Sequence, residues 1–329
     1  MNKVTLKGFI IFASFLLLAF FPYILPIFHI NILIEIAFFA LFAVSFNMLF
    51  GYAGLLSFGH AAYFGIGAYT LALLLKHIAG FPLLLSVLMG GIAGGLGGLL
   101  AGYFCVTLKG AFFALLTLAF NQFFFAIALK WRAVTGGDDG IGVKRPDLYI
   151  PILGNINMRQ IENVYYFVIV IVLICLFILW YLTKTPFGNT IRAIKENDER
   201  ADFIGYNVFL SKLTVYTISG FFAGIAGALF GFFEGFVSTE TLSIPKSTEV
   251  LFMAFIGGIG SFFGPILGSA VYVYFTDWVS HLTDRWEFVL GVLFILLVMY
   301  AHRGLISLIP LERIKELILS RDKTKEPIP

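Results

Sequence analysis

The stretch from Ile36 to Leu75, IAFFALFAVSFNMLFGYAGLLSFGHAAYFGIGAYTLALLL, contains no Asp, Glu, Lys or Arg. A helix that crosses the ~30 Å hydrocarbon core of a bilayer needs about 20 apolar residues, so this run can hold two. Further charge-free runs cover 8–34, 77–108, 110–129, 163–183, 213–233, 250–276 and 288–302. Of the 329 residues, 60% are apolar and 12% are charged, and the mean hydropathy is +0.95. Soluble domains are about 45–50% apolar and about 25% charged. The composition therefore excludes a soluble enzyme, a disordered chain and a nucleic-acid binder. A net charge of +3 implies no anionic partner.

Working outward from that run, we expect an all-α integral membrane protein with about ten transmembrane helices. The expected spans lie near 8–28, 31–52, 62–79, 81–105, 110–130, 163–182, 213–234, 246–259, 264–282 and 286–302. Lys3 and Lys7 before an apolar stretch imitate a signal peptide. The stretch is too long for one and no small-residue cleavage site follows, so it reads as a retained first span. Lys and Arg mark the cytoplasmic side. One face collects fourteen of them, including Lys109, Arg192, Arg200, Lys212 and the 303–325 tail; the other collects eight, including Lys76, Arg132, Arg145, Lys246 and Arg285. Both termini then lie inside, which requires an even number of spans. Membrane domain 1–302 is followed by a tail, 303–329, whose helical alternation of apolar and charged residues suits the inner membrane surface.

Two Gly-interrupted segments resemble one another, Gly54–Ala68 and Gly260–Ala270, and read as an internal repeat. Paired interruptions in two halves point to a transport site, although small residues also serve close helix packing. The two segments, with the intramembrane polar residue Asn47, make Asn47, Ser57, Gly59, His60, Ser261 and Gly264 candidates for the translocation path. Helix N-termini near 57–61 and 261–265 could offer free N–H groups to a carboxylate. His60 either lines the path or caps a helix. The Gly-rich stretch 90–102 reads as a helix–helix seam. Glu35, Asn121, Gln122 and Glu249 also fall in or beside spans, where polar groups are costly; Glu35 and Glu249 sit near outer ends, close to water. Cys105 and Cys175 lie in apolar runs and read as packing residues.

The most polar stretch, 183–212, is longer than an inter-span turn needs. We expect two short helices there: one capped by Asn189 or Thr190 and running through Asn197, and one capped by Asp198 and closed by Gly205. It is either a solvated connector or a docking element for a cytoplasmic partner.

Within it, Thr185–Val208, TPFGNTIRAIKENDERADFIGYNV, resembles the coupling-helix region of LivM-type permeases of branched-chain amino acid ABC transporters, a type II importer family. Gly51–Tyr69, Thr135–Ile141, Ile218–Leu229, Gly257–Gly268 and His302–Leu305 also resemble that family; Asp138-Asp139 departs from its usual pair. The resemblance covers about 40–310. It implies ten spans, a homologous LivH-type permease partner, two LivG/LivF-type ATPase subunits on the cytoplasmic face and an extracytoplasmic binding protein. It implies coupling roles for Arg192, Glu196, Glu199, Arg200, Ala201 and Gly205. Loops 132–162 and 235–245 are the expected docking surface for the binding protein.

The chain has no G-x-x-x-x-G-K-[ST] loop, so we expect no cofactor on this chain, with ATP and Mg held by partners. The expected function is ATP-driven import of leucine, isoleucine or valine through the inner membrane. A urea or short-chain amide permease shares much of the motif set. An ion-coupled carrier would not need the 183–212 helices. A membrane enzyme would need a catalytic cluster, and the five histidines are scattered.

Overall fold

A computed structural model describes Pro22 and residues 25–150, 154–283 and 285–300. Most of the expected first span, the 303–329 tail and the match at His302–Leu305 lie outside these residues. The helices are α1 (Ile27–Asn47, continued by a π-helical turn Met48–Tyr52), α2 (His60–His77), α3 (Leu83–Cys105) and α4 (Gly110–Lys130), then α5 (Ile161–Lys184), α6 (Pro186–Glu196), α7 (Asp198–Phe203), α8 (Val208–Glu234), α9 (Ile244–Gly257), α10 (Gly264–Ser280) and α11 (Trp286–Tyr300). Four short strands are β1 (Ile141–Gly142), β2 (Leu148–Ile150), β3 (Gly154–Ile156) and β4 (Phe236–Val237). Strand β2 pairs antiparallel with β3, and β1 with β4. Among the described residues, five helices are long and apolar enough to cross a membrane: α1 with its π-turn, α3, α4, α5 and α8.

Helix α8 is the hub, packed on α1, α2 and α3. Lipid tails are as apolar as Leu, so helix association in a bilayer depends on close contact rather than on water exclusion. Glycine supplies that contact. A Cβ on Gly227 would fall onto the Phe64 carbonyl oxygen of α2, and one on Gly67 onto the Gly224 carbonyl of α8. On the other side, the 90–102 stretch forms the expected seam: a Cβ on Gly94 would lie 2.6 Å from the Gly220 carbonyl oxygen. The opposite face of α3 shows Leu88, Leu96, Leu99 and Tyr103, and one face of α5 shows Val170, Ile174 and Phe177, all exposed apolar side chains that suit lipid.

The region 235–285 differs from the expected short span over 246–259. Beyond Gly235, which ends α8 with φ 70°, the chain turns back into the molecule. The Leu242 carbonyl accepts a hydrogen bond from Asn121 Nδ2 at 2.9 Å, halfway along α4. Helix α9 starts there. Its 14 residues rise about 21 Å, roughly two thirds of the ~30 Å core, and end on the side nearer α6. Gly258 (φ 109°) and Gly260 (φ 93°) then turn the chain, positive φ values that suit glycine. Helix α10 returns antiparallel along α9, with Gly268 against the Met253 carbonyl. The turn expected at 256–265 is present, and the descending half of the pair is part loop and part helix.

Candidate functional site

Three regions carry the polar chemistry. The first is the α6–α7 pair. Pro186 opens α6 at its first turn with Thr185 before it, one turn earlier than Asn189 or Thr190 would have placed it. The fixed φ of Pro suits that position and its missing N–H costs nothing there. Asn197, rather than Asp198, caps α7: its Oδ1 accepts from the Arg200 N–H at 2.8 Å. Asp198 is left to pair with Lys212 at 2.5 Å and Lys109 at 3.7 Å, tying α7 to α8 and to the start of α4. Gly205 has φ 92° and follows α7 as expected.

Helix α6 is amphipathic. Ile191 and Ile194 are buried, Lys195 Nζ donates to the Gly51 carbonyl at 2.7 Å, and the Arg192 guanidinium lies 5.0 Å from the centre of the Tyr52 ring. The pair is thus clamped on the π-turn that ends α1. Of the expected coupling residues, Arg192, Glu196, Glu199, Arg200 and Gly205 are exposed, and Ala201 is buried beneath α7. Beside them Phe203 and Ile204 project into solvent, 90% and 66% exposed. The pair takes little part in the packing of this chain.

The second region comprises the two interrupted segments and what holds each. Asn47, at the end of α1, holds the second of them: its Nδ2 donates to the Ser261 carbonyl at 2.9 Å, and its Oδ1 faces the Gly260 N–H at 3.5 Å. Gly264 N–H donates to Ser261 Oγ at 3.0 Å. Ser57 and His60 are fully buried. Ser57 Oγ accepts from the Gly59 N–H, and a Cβ on Gly59 would strike the Thr117 carbonyl. His60 Nε2 lies 3.0 Å from Ser45 Oγ, with its ring stacked on Phe42, and its Nδ1 finds no partner among the described residues. The N–H groups that were expected to be free are taken: Ala61 donates to Ser247 Oγ of α9 at 3.0 Å, and Phe58 to Thr117 Oγ1 at 3.1 Å. The six expected path residues thus fall in two clusters, Asn47 with Ser261 and Gly264, and Ser57 with Gly59 and His60. In this conformation the Ser57–His60 cluster is closed by protein, and the Asn47 cluster is partly open at Gly260 and Ser261.

The third region was not assembled by sequence reasoning. A cavity of about 520 Å³ opens at the end opposite α6–α7, between α1, α8, α10 and the 236–249 segment. Its wall carries Glu35, Glu234, Glu240, Glu249 and Asp277, and one cation, Lys246. Lys246 pairs with Glu249 at 2.7 Å, and its ammonium lies 5.1 Å and 5.6 Å from the centres of the Phe39 and Phe230 rings. Glu35 and Glu249 had drawn notice as polar residues near span ends. Lys246 counts in the sequence only among the cations of the outer face, and Glu234 and Asp277 merely end charge-free runs, so nothing local groups them. Above the cavity, Ile141 faces Val237 across the β1–β4 pair, so the 132–162 and 235–245 loops are joined. Arg145 adds a hydrogen bond to the Phe233 carbonyl.

A family model described as the permease component of the branched-chain amino acid transport system matches residues 28–299. The chain belongs to that family. It is 28% identical over 265 residues to the high-affinity branched-chain amino acid transport permease LivM of Salmonella typhimurium, covering 75% of this chain and 62% of that protein. LivM of Escherichia coli gives the same identity and coverage. The matched part thus spans under two thirds of these relatives. The guanosine ABC transporter permease NupQ of Bacillus subtilis is 33% identical over 137 residues, 40% of each chain. No solved structure matches. As a member of this permease family the chain is a multi-pass membrane protein, in keeping with its five long apolar helices.

Proposed function

We propose that the chain is the LivM-like permease subunit of an ABC importer for leucine, isoleucine and valine. The observation that carries this reading is the family match over 28–299, together with LivM relatives aligned over 75% of the chain. The α6–α7 pair supports it, being clamped to α1 by Lys195 and to α8 by Lys212, with Phe203 and Ile204 left outward. On this reading two ATPase subunits of the LivG/LivF kind dock on that pair from the cytoplasm and hold ATP and Mg. Arg192, Glu196, Glu199 and Arg200 meet the ATPases, while buried Ala201 and the Gly205 turn fix the pair's shape. A LivH-type permease completes the pathway, and an extracytoplasmic binding protein docks on the joined 132–162 and 235–245 loops.

Closure of the ATPases on ATP displaces α6–α7. The clamp at Gly51 and Tyr52 passes that motion to α1. Asn47 lies one turn above the clamp and passes it to the α9–α10 turn. The side to which the path opens then changes, which is alternating access. The ten-span topology, with both termini in the cytoplasm, belongs to the same proposal, as do the path roles of Asn47, Ser57, Gly59, His60, Ser261 and Gly264.

The test is uptake of radiolabelled leucine into proteoliposomes that hold this chain with its ATPase and permease partners, binding protein outside and ATP inside. ATP-dependent uptake, competed by isoleucine and valine but not by urea, is expected. Uptake by this chain alone on an ion gradient would overturn the reading.

A further inference from the structure

The cavity opposite α6–α7 has more structure than an acidic surface. It lies against a discontinuity: the chain enters by the irregular 236–243 segment, where buried Leu242 is held by Asn121, and leaves by α9, which starts at a half-exposed Ile244. Irregular backbone at membrane depth persists only where protein covers it or where it lines a water-filled space. The α9 N-terminus brings the positive end of a helix dipole to that space, and Lys246 in its first turn adds a full charge.

Lys246 is held rather than solvated. Its side chain is 15% exposed, it lies over Phe39 and Phe230, and it spends one of its three donors on Glu249. The remaining carboxylates line the wall around it. Among the described residues no three His, Cys, Asp or Glu side chains are placed to hold a metal ion, so these carboxylates are spread, not convergent. Thr276, also on the wall, has a covered hydroxyl oxygen with no hydrogen-bond partner among the described residues. A volume of about 520 Å³ falls within the roughly 300–1,000 Å³ of small-molecule sites.

The arrangement has one positive pole, several negative ones and an aromatic floor. We propose that this cavity is the outer binding station for a zwitterionic amino acid with an apolar side chain. Its carboxylate sits on Lys246 at the α9 N-terminus, its ammonium between Glu35 and Glu234, and its side chain on Phe39 and Phe230. The excess of carboxylates favours a ligand with an ammonium group and rejects free anions. The site rests on the importer reading above and deepens it. Ser247, next to Lys246, accepts from the Ala61 N–H at the start of α2, so the helix that carries Lys246 is bonded to the helix that carries His60. Passage inward requires α9 to leave α2 at that bond.

The experiment uses the full reconstituted complex with saturating leucine-loaded binding protein. Lys246→Met and Glu35→Gln each remove one pole of the site. Leucine uptake is expected to fall about tenfold or more in both, the loss of a charge-assisted contact. Ser238→Cys, on the cavity wall in a complex otherwise unchanged, is expected to react with a membrane-impermeant maleimide from the outer side, more slowly when leucine is present. Unchanged uptake in both charge variants overturns the station, as does a Ser238→Cys rate that leucine does not slow. A wild-type complex that takes up no leucine, isoleucine or valine overturns the importer reading and this ligand with it. Normal wild-type uptake beside unaffected variants overturns the station alone.

Discussion

At the residue scale, the backbone contacts of single glycines decide how closely the helices approach. Gly227 meets Phe64 through its missing side chain, and the carbonyl it would strike cannot rotate away as a side-chain tip could. Gly227→Ala is therefore expected to lower stability by about 1–3 kcal/mol, the usual cost of overpacking. Gly291→Ala on α11 meets nothing within 4 Å and is expected to cost nothing. Thermal midpoints of the detergent-solubilised protein, followed by size-exclusion profile, check the pair; equal midpoints would show that α2 and α8 can separate without penalty. The sequence reveals the abundance of glycine but not which glycine faces a carbonyl. Glu35 shows the same limit. A carboxylate breaking two long apolar runs is visible at once, yet its companions Glu234, Lys246 and Asp277 are more than 190 residues away.

At the element scale, α6 depends on two cations that clasp the end of α1. Lys195 Nζ bonds the Gly51 carbonyl and Arg192 lies over Tyr52. Lys195→Met removes the bond and keeps most of the apolar stem, at a cost near 1 kcal/mol for a partly exposed contact. The expected effect is uncoupling: uptake per ATP hydrolysed falls, while the ATPase rate of the assembled complex persists. Parallel measurement of uptake and phosphate release checks this, and an unchanged ratio would remove Lys195 from the coupling path. The existence of two short helices in 186–203 was legible from caps and charge. Their starts were not, because Thr185-Pro186 and Asn197 compete with other good caps nearby, and only the tertiary pull of Lys212 on Asp198 decides between Asn197 and Asp198.

At the scale of the whole molecule, two loops distant in sequence form one outer cover. Ile141 and Val237 are direct partners in an antiparallel pair, where Cβ atoms stand about 4.5–5.5 Å apart. Ile141→Cys combined with Val237→Cys is expected to cross-link with a short thiol reagent, in the chain alone and in the complex. A mobility shift on denaturing gels, lost on reduction, reports it. No cross-link would mean that the 132–162 and 235–245 loops are separate surfaces. Phe236, Ser238, Glu240 and Thr241 of the second loop also line the acidic cavity, so the joined loops adjoin it.

The sequence by itself determined the membrane class, the positions of nearly all the described helices, the Gly/Pro turn at 256–265 and the polar pair after α5. These follow from local properties: the length of apolar runs, the φ preferences of Gly and Pro, and the capping atoms of Asn and Thr. Only the tertiary structure decided that 236–243 folds back to mid-height and that α9 is shorter than a full span. It also decided that Asn47 ties α1 to the second interrupted segment and that five carboxylates and one lysine share one cavity. The physical reason is that each of these outcomes depends on a bond between distant parts of the chain, such as Asn121 to Leu242 or Ala61 to Ser247. A hydropathy run encodes how much of a helix is apolar, and carries no record of where its ends find their partners.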